Sequence, residues 1–245
     1  MNARFLFRAF KARFRDQREE IRAVLNSLQS GDRAVDVGAY KGSYLYWLRR
    51  AVGPKGKVFA FEPQPKLARY LEIICAASKW GNVQVYDLAV SDKVGTATLN
   101  VPSGDVSPGA SLEQAVASST PCRGYECAVD TLDRCLKDAG RIDFLKVDAE
   151  GHELQVLRGA ADILSRFTPV ILFECEARHL SNHSMQDVFS YLQNLGYDGE
   201  FFSRLGLRPL KEFDPAVHQK NDLERFWDSP DYCNNFLFKP RRPAC

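Results

Sequence analysis

The residues most able to do chemistry in this chain are acids set beside glycines. The stretch VDVGAYKGSYLYWL, Val35 to Leu48, places Asp36 ahead of Gly38 and Gly42, between a short apolar run and a helical pattern. Glycine loops at such junctions usually receive phosphates on their backbone N–H groups, and an aspartate there repels them. The dinucleotide fingerprint GxGxxG and the phosphate loop GxxxxGK[ST] are both missing, which disfavours a nicotinamide-dependent oxidoreductase. A ligand carrying positive charge fits better. S-adenosylmethionine has an ammonium, a sulfonium, a ribose diol and a flat adenine. Asp36 is expected to pair with the ammonium directly or through water, and Gly38 to let the backbone approach the ligand. The helix starting near Gly42 then offers N–H groups to the ligand carboxylate. Glu62, followed by Pro63 in AFEP, stands where an acid commonly accepts hydrogen bonds from ribose hydroxyls. The backbone around Leu88 and Ala89 suits the adenine edge, whereas Asp87 has an equally plain reading as a surface acid. The bland alternative for Asp36 is a helix N-cap, and for Glu62 a surface acid before Pro63.

A second acidic group lies in KVDAEGHE, residues 146–153. In a strand, Lys146 and Asp148 point to one face and Val147 to the other. Asp148, Glu150 and Glu174 can accept a proton from a hydroxyl, or bind a divalent metal that lowers the hydroxyl pKa. The metal-independent role is favoured. Lys146 either forms an ion pair with a neighbouring acid or orients substrate, and Glu153 reads as a first-turn acid that complements a helix dipole. His179 and His183 are spaced i, i+4 in RHLSNH, but two isolated histidines make a weak case for metal. His179 and His152 are further candidates for the base.

These residues need strands to carry them. Short apolar runs at 33–37, 58–62, 83–90, 142–148 and 169–175 alternate with helical patterns, the order expected of a doubly wound, mostly parallel α/β sheet. Asp36, Glu62, Asp87, Asp148 and Glu174 all fall near the carboxyl ends of these runs, where such sheets bind ligands. The segment 96–101 reads as an extra strand, a helix is expected near Thr131 to Lys137, and a single helix from Glu153 to about Phe167. The Ser-, Gly- and Pro-rich stretch from Pro102 to Pro121 is either a lid or a tolerated insertion. A helix over Ser184 to Leu195 precedes GYDGEFFS and NNFLFKP, which read as an antiparallel pair.

At 245 residues, with 45% hydrophobic and 26% charged residues, the chain suits one large globular domain, residues 31–245, preceded by an N-terminal helix over 1–30. A net charge of +2 is too small to imply nucleic acid, and no apolar run is long enough to span a membrane. Seven cysteines without a CxxC pair suggest neither a disulfide framework nor a zinc ribbon, and point to a reduced, cytoplasmic compartment. The sequence sets no oligomeric state. MNARFLFRAFKARFRDQR interleaves Phe5, Phe7, Phe10 and Phe14 with arginines and lysine. Such a basic amphipathic helix either packs on the domain or lies on an anionic membrane, and it is expected to run on through IRAVLNSL.

VDVGAYKGS, AFEPQP, LAVSDKVG, VDTLD, LKVDAEGHELQVLRGA and ILFE, in that order, resemble the FkbM family of S-adenosylmethionine-dependent methyltransferases. The likeness runs from about Ala34 to Glu174, and its most specific part is LKVDAEGHELQVLRGA. It implies a class I, Rossmann-like fold and O-methylation of a hydroxyl on a sugar, glycolipid or polyketide-like acceptor. Tyr40, an expected cofactor contact, and Lys41 depart from the smaller residues common at that place, which alters how the methionine end of the cofactor sits. The rival reading is a partner protein of the same fold that binds cofactor without catalysis.

Overall fold

The computed structural model describes residues 2–102, 105–119, 121–221, 225, 226, 229 and 231–241. The N-terminal segment is not one helix. Helix α1 (Ala3–Lys11) starts at Asn2, whose side chain accepts from the Arg4 N–H at 2.8 Å. A π-helical turn, Ala12–Asp16, comes next, and the chain breaks at Gln17 before α2 (Arg18–Ser27). The wider turn, closed by a 2.9 Å ion pair between Lys11 and Asp16, shifts the helical phase, so the expected continuous helix is corrected to two.

From there β1 (Arg33–Val37), α3 (Ser43–Val52), β2 (Lys57–Phe61), α4 (Pro65–Ala77) and β3 (Val83–Tyr86) alternate as the sequence predicts. The predicted strand 83–90 divides. Its last residues form β4 (Ala89–Val90), which leaves the main sheet and pairs with β6 (Cys122–Asp130). With β5 (Gly95–Pro102) these make a separate three-stranded sheet of order β4-β6-β5. Helix α5 (Gln114–Ser119) lies between β5 and β6 in chain order, and α6 (Leu132–Cys135) comes after β6. Strand β6 adds to the sequence-based expectation; CRGYECAVD alternates only weakly and is largely exposed.

After β7 (Phe144–Val147), the expected single helix is two: α7 (Glu153–Arg158) and α8 (Ala161–Phe167). They separate at Gly159, where a Cβ would meet the Ser91 carbonyl oxygen at 2.0 Å. Strand β8 (Val170–Glu174), α9 (Met185–Asn194), β9 (Tyr197–Ser203), β10 (Gly206–Pro209), α10 (Pro215–His218) and β11 (Asn235–Pro240) complete the chain. The main sheet has eight strands in the order β10-β9-β11-β8-β7-β1-β2-β3. Strands β3, β2, β1, β7 and β8 are mutually parallel, and β11 runs antiparallel to both β8 and β9. The pairing of 197–203 with 235–240 matches the expectation, and β10 extends that pair by one strand.

Strand alternation divides the core. Val35, Val37, Leu145, Val147, Ile171 and Phe173 join the cluster that includes α7, α8 and α9. Ala34, Ala60, Phe144 and Leu172 join the cluster that includes α2, α3, α4 and Phe5 of α1. Phe5, 1% exposed, meets Tyr46 and Trp80 edge-on at 6.2 and 5.7 Å and occupies the space that a Cβ on Gly42 would take. Phe7, on the opposite side of α1, is 68% exposed, and Phe14, in the π-helical turn, 65%. Replacing Phe5 by Ala is therefore expected to destabilise the protein by about 3–5 kcal/mol. Phe7→Ala should cost less than about 0.5 kcal/mol. Urea unfolding of both variants checks the contrast, and equal effects would contradict this packing.

Candidate active site

A cavity of about 360 Å³ opens at the carboxyl ends of β1, β2, β7 and β8. Gly38 and Tyr40 of the glycine loop, Glu62 and Pro63 after β2, and Leu88 and Ala89 line it. Asp148, Glu150 and Glu174 line it too. The topology thus gathers these nine residues singled out from the sequence, and His152 as a tenth.

The glycine loop is held by two polar clamps. The first is Glu62, whose Oε2 accepts from the Tyr40 N–H at 2.7 Å and whose Oε1 accepts from the Gln64 N–H at 3.0 Å. Tyr40 is fixed at a φ of 46°, a left-handed conformation that a non-glycine residue keeps only when its surroundings impose it. Burial pushes the Glu62 carboxyl up to about 7, against the lowering effect of those two N–H donors. The second clamp is Lys146. Its ammonium donates to the carbonyls of Val37 and Gly38 at 3.2 and 3.0 Å and reaches Asp148 Oδ2 at 3.3 Å and Asp36 Oδ1 at 3.5 Å. The Tyr44 ring covers it, with Nζ 5.2 Å from the ring centroid.

These contacts show where Asp36, Gly42 and Gly38 stand. Asp36 does not line the cavity: its side chain is fully buried, on the sheet face opposite that of Val35 and Val37, and its register partner is Lys146. Its carboxylate answers the Lys146 ammonium. Burial raises its pKa and the Lys146 ammonium opposes that. Gly42 also stands outside the cavity; with a φ of 79° it begins α3, and its bare Cα admits Phe5 and Leu71. Gly38 lines the cavity, yet its lack of a side chain serves a backbone contact, since a Cβ would lie 1.9 Å from the Asp148 carbonyl oxygen. Lys146 and His179, both buried, stand behind the cavity wall.

The acids around the opening raise one another. Glu150, at a φ of 50°, directs its carboxylate to His179 Nδ1 at 3.0 Å. Burial raises the pKa of Glu150, while His179 lowers it and Asp148 raises it. Glu174 is held well above the usual carboxylate range by burial first, then by Asp148, Glu150 and Glu176. Glu153 stands in the first turn of α7, as the sequence predicts. It is buried, and its Oε1 accepts from the N–H groups of Ala149 and Gly151, both at 3.1 Å, closing the turn that carries Glu150.

Several contributors had no legible sequence signal. Gln64 Nε2 donates to the Ser107 carbonyl and its Oε1 accepts the Ser107 N–H, both at 2.9 Å, which ties the 105–113 stretch to the rim. Ser111 Oγ donates to the Glu150 carbonyl at 2.6 Å. His152, a base candidate from the sequence, lines the cavity between Glu113 at 2.7 Å and Ser91 at 2.8 Å. His183 is not paired with His179, and no group of three or more metal-ligating side chains occurs among the described residues.

The parallel sheet with a glycine loop after β1 and an acid after β2 defines the fold of a class I S-adenosylmethionine-dependent methyltransferase. The chain belongs to the methyltransferase FkbM domain family, whose pattern matches residues 36–198. It is 29% identical over 164 residues to "Methyltransferase sdnD" of Sordaria araneosa, a match covering 54% of this chain and 62% of that protein. A methyltransferase FkbM from Methylobacillus flagellatus KT superposes with a TM-score of 0.54 at 18% identity, over 96% of this chain and 53% of its own. The chain thus spans between half and two thirds of the length of these two relatives.

Glu153 gives a test of this architecture. Burial holds its carboxyl at about 8, above an ordinary 4.5, so between those values the folded chain keeps a proton that the unfolded chain has released. Stability from this group is full below the lower value and falls as pH rises, by about 1.4 kcal/mol per pH unit at most. Glu153→Gln removes that share, so unfolding free energies measured from pH 5 to 8 should decline less steeply than in the parent chain. An unchanged slope would contradict the buried acid.

Proposed function

We propose that the cavity seats S-adenosylmethionine and that the protein transfers its methyl group to a hydroxyl of a sugar, glycolipid or polyketide-like acceptor. The observation that carries this reading is the charge of the cavity. Glu62 on one side and the Asp148, Glu150 and Glu174 group on the other leave it strongly acidic, a poor place for a pyrophosphate and a good one for a sulfonium. In this reading adenine lies on Leu88 and Ala89, the ribose hydroxyls donate to Glu62, and Gly38, Tyr40 and Pro63 complete the wall. The volume of about 360 Å³ lies at the small end of ligand sites, which run from about 300 to 1,000 Å³, and suits one cofactor.

The cofactor supplies an activated methyl group for in-line displacement. As the acceptor oxygen forms its bond to that carbon, the sulfur–carbon pair returns to sulfur and the hydroxyl proton passes to a carboxylate. Glu150 is our choice for that carboxylate, with Asp148 and Glu174 beside it to hold the hydroxyl. Lys146 and His179 act as positioning residues, the first through Asp148 and the glycine loop, the second through Glu150. Seating the reactants is worth up to about 7–11 kcal/mol and a placed base about 10²–10⁴ in rate. A divalent metal remains the less favoured alternative.

Residues 105–113 act as the lid in this reading, supported by their bonds to Gln64, Glu150 and His152. The exposed Phe7, Phe10 and Phe14, among the arginines of the N-terminal segment, support peripheral contact with an anionic membrane. No helix among the described residues is long and apolar enough to cross one. Cys75, Cys127, Cys135, Cys175 and Cys233 are free thiols, which supports a reducing, cytoplasmic compartment.

The acidity of the cavity fixes a pH dependence. Glu62, at about 7, is partly protonated near neutral pH and gives up that proton to an arriving cation, and burial shifts Glu150 and Glu174 in the same direction. Affinity for S-adenosylmethionine should therefore rise with pH through about 7, while that for the uncharged thioether S-adenosylhomocysteine rises less. Calorimetric titration with both ligands from pH 5.5 to 8.5 measures this; absence of binding at every pH would sink the cofactor assignment. Glu150→Gln should retain S-adenosylmethionine binding and lose about 10²–10⁴ in kcat. Loss of binding as well would place Glu150 in the cofactor site, and unaltered kcat would support another base. Complete lack of turnover in the parent chain, with binding intact, is the outcome expected of a non-catalytic partner protein.

A further inference from the structure

A second cavity, of about 530 Å³, lies beside the first on the far side of Glu174. Two residues, Gln17 and Glu174, line both. The rest of the second cavity comes from three places distant in sequence: the π-helical turn with the start of α2, the end of β9 with the turn after it, and the chain leading into β11 with its first residue. We propose that this groove is the acceptor site and that Gln17 is a specificity-determining residue at its junction with the cofactor cavity. The proposal rests on the cofactor reading given above, because a cofactor that fills the first cavity leaves the second as the adjoining space.

The break in the N-terminal helix gives Gln17 its place. The π-helical turn over Ala12–Asp16 ends at Gln17, whose φ of −136° and ψ of 45° take it out of helical geometry before α2 resumes. π turns recur at functional sites because the inserted residue re-aims the next turn of the chain. A straight helix through this stretch would carry Gln17 on in phase with its neighbours. In the structure Gln17 lines both cavities, and its side-chain amide makes no hydrogen bond among the described residues.

The lining chemistry selects the ligand. Arg15, Arg18 and Arg204 stand among Asp16, Glu19, Glu20 and Glu174, so neither an anion nor a cation is favoured throughout. Gln17, Asn235 and Ser229 keep amide or hydroxyl groups that donate and accept, as do the hydroxyls of a polyol, whereas Ser203 Oγ is engaged by the Gly206 carbonyl and the Leu205 N–H. Phe202 adds an apolar patch. Phosphate needs donors alone and an ammonium acceptors alone, and this groove mixes them. An uncharged, hydroxyl-rich acceptor is the class that fits, and its reacting hydroxyl would enter past Glu174.

The experiment uses the full chain, a panel of methyl hexosides and methyl 6-deoxyhexosides as acceptors, and release of S-adenosylhomocysteine as the readout. Gln17→Ala and Asn235→Ala should each raise the acceptor KM about 5- to 10-fold, the loss of one hydrogen bond. The Kd for S-adenosylmethionine should stay within about 2-fold for Asn235→Ala, whose side chain does not line the first cavity. Arg204→Ala, on an exposed turn, serves as a variant with little risk to folding and should also raise the acceptor KM. Unaltered KM values in all three variants would overturn the site. Binding of S-adenosylmethionine without turnover of any glycoside would overturn the ligand class, whereas failure to bind S-adenosylmethionine would remove the cofactor reading on which the proposal rests.

Discussion

A lysine ammonium buried between two strands fixes the geometry around the cavity. Lys146 sits opposite Asp36 in the β1–β7 register and holds the carbonyls of Val37 and Gly38 and the Asp148 carboxylate at once. Removing a charge of this kind from water costs several kcal/mol, which is recovered only when its donors are met. Here burial lowers the Lys146 pKa, and Asp148 and Asp36 more than reverse that. The charged state is thereby kept. One side chain ties the end of β1, the glycine loop and the end of β7 together, and Gly38 can pack on the Asp148 carbonyl only because they are so tied.

The same site carries more acid than base. Asp148, Glu150, Glu174 and Glu176 crowd one end, and their mutual repulsion adds to burial in raising Glu150 and Glu174. Glu176 escapes: burial acts to raise it, but hydrogen bonds from Arg178 and Tyr232 bring it below the ordinary carboxylate value. A cluster of raised acids is costly to an empty protein and useful to one that receives a cation, since the ligand's charge recovers what crowding costs. Strain accompanies it. Tyr40 and Glu150 both hold positive φ, each braced by a glutamate from a neighbouring turn or by the turn's own Glu153.

Around this rigid centre the accessory parts come from outside the parallel core. The 105–113 stretch crosses the cavity with polar bonds to Gln64, Glu150 and His152, and the N-terminal segment seats Phe5 in the space left by Gly42. Phe5 and Gln17 thus link a segment with no resemblance to the family to both ends of the glycine loop's surroundings. The apolar face that packs and the aromatic face that remains exposed belong to the same helix, so the two readings of an amphipathic N-terminus are compatible.

Much of this was legible in the residues. Alternation of apolar runs and helical patterns specified the parallel sheet, because side-chain period and chain connectivity leave few other layouts. AFEP located Glu62 and KVDAEGHE located Asp148 and Glu150, since acids at strand ends face the ligand edge whatever the details. The roles of Asp36 and Gly42 were not legible. Both depend on which sheet face a side chain takes and on what packs there, Lys146 for one and Phe5 for the other. Strand β6 escaped because an exposed sheet imposes little apolar alternation. The sequence alone determined which chemical groups gather along one edge of the sheet, because local periodicity and strand order act through neighbours in the chain. Only the tertiary structure decided which of those groups face the cavity, which brace it, and how Gln17 comes to lie beside Glu174, because these depend on contacts between residues far apart along the chain.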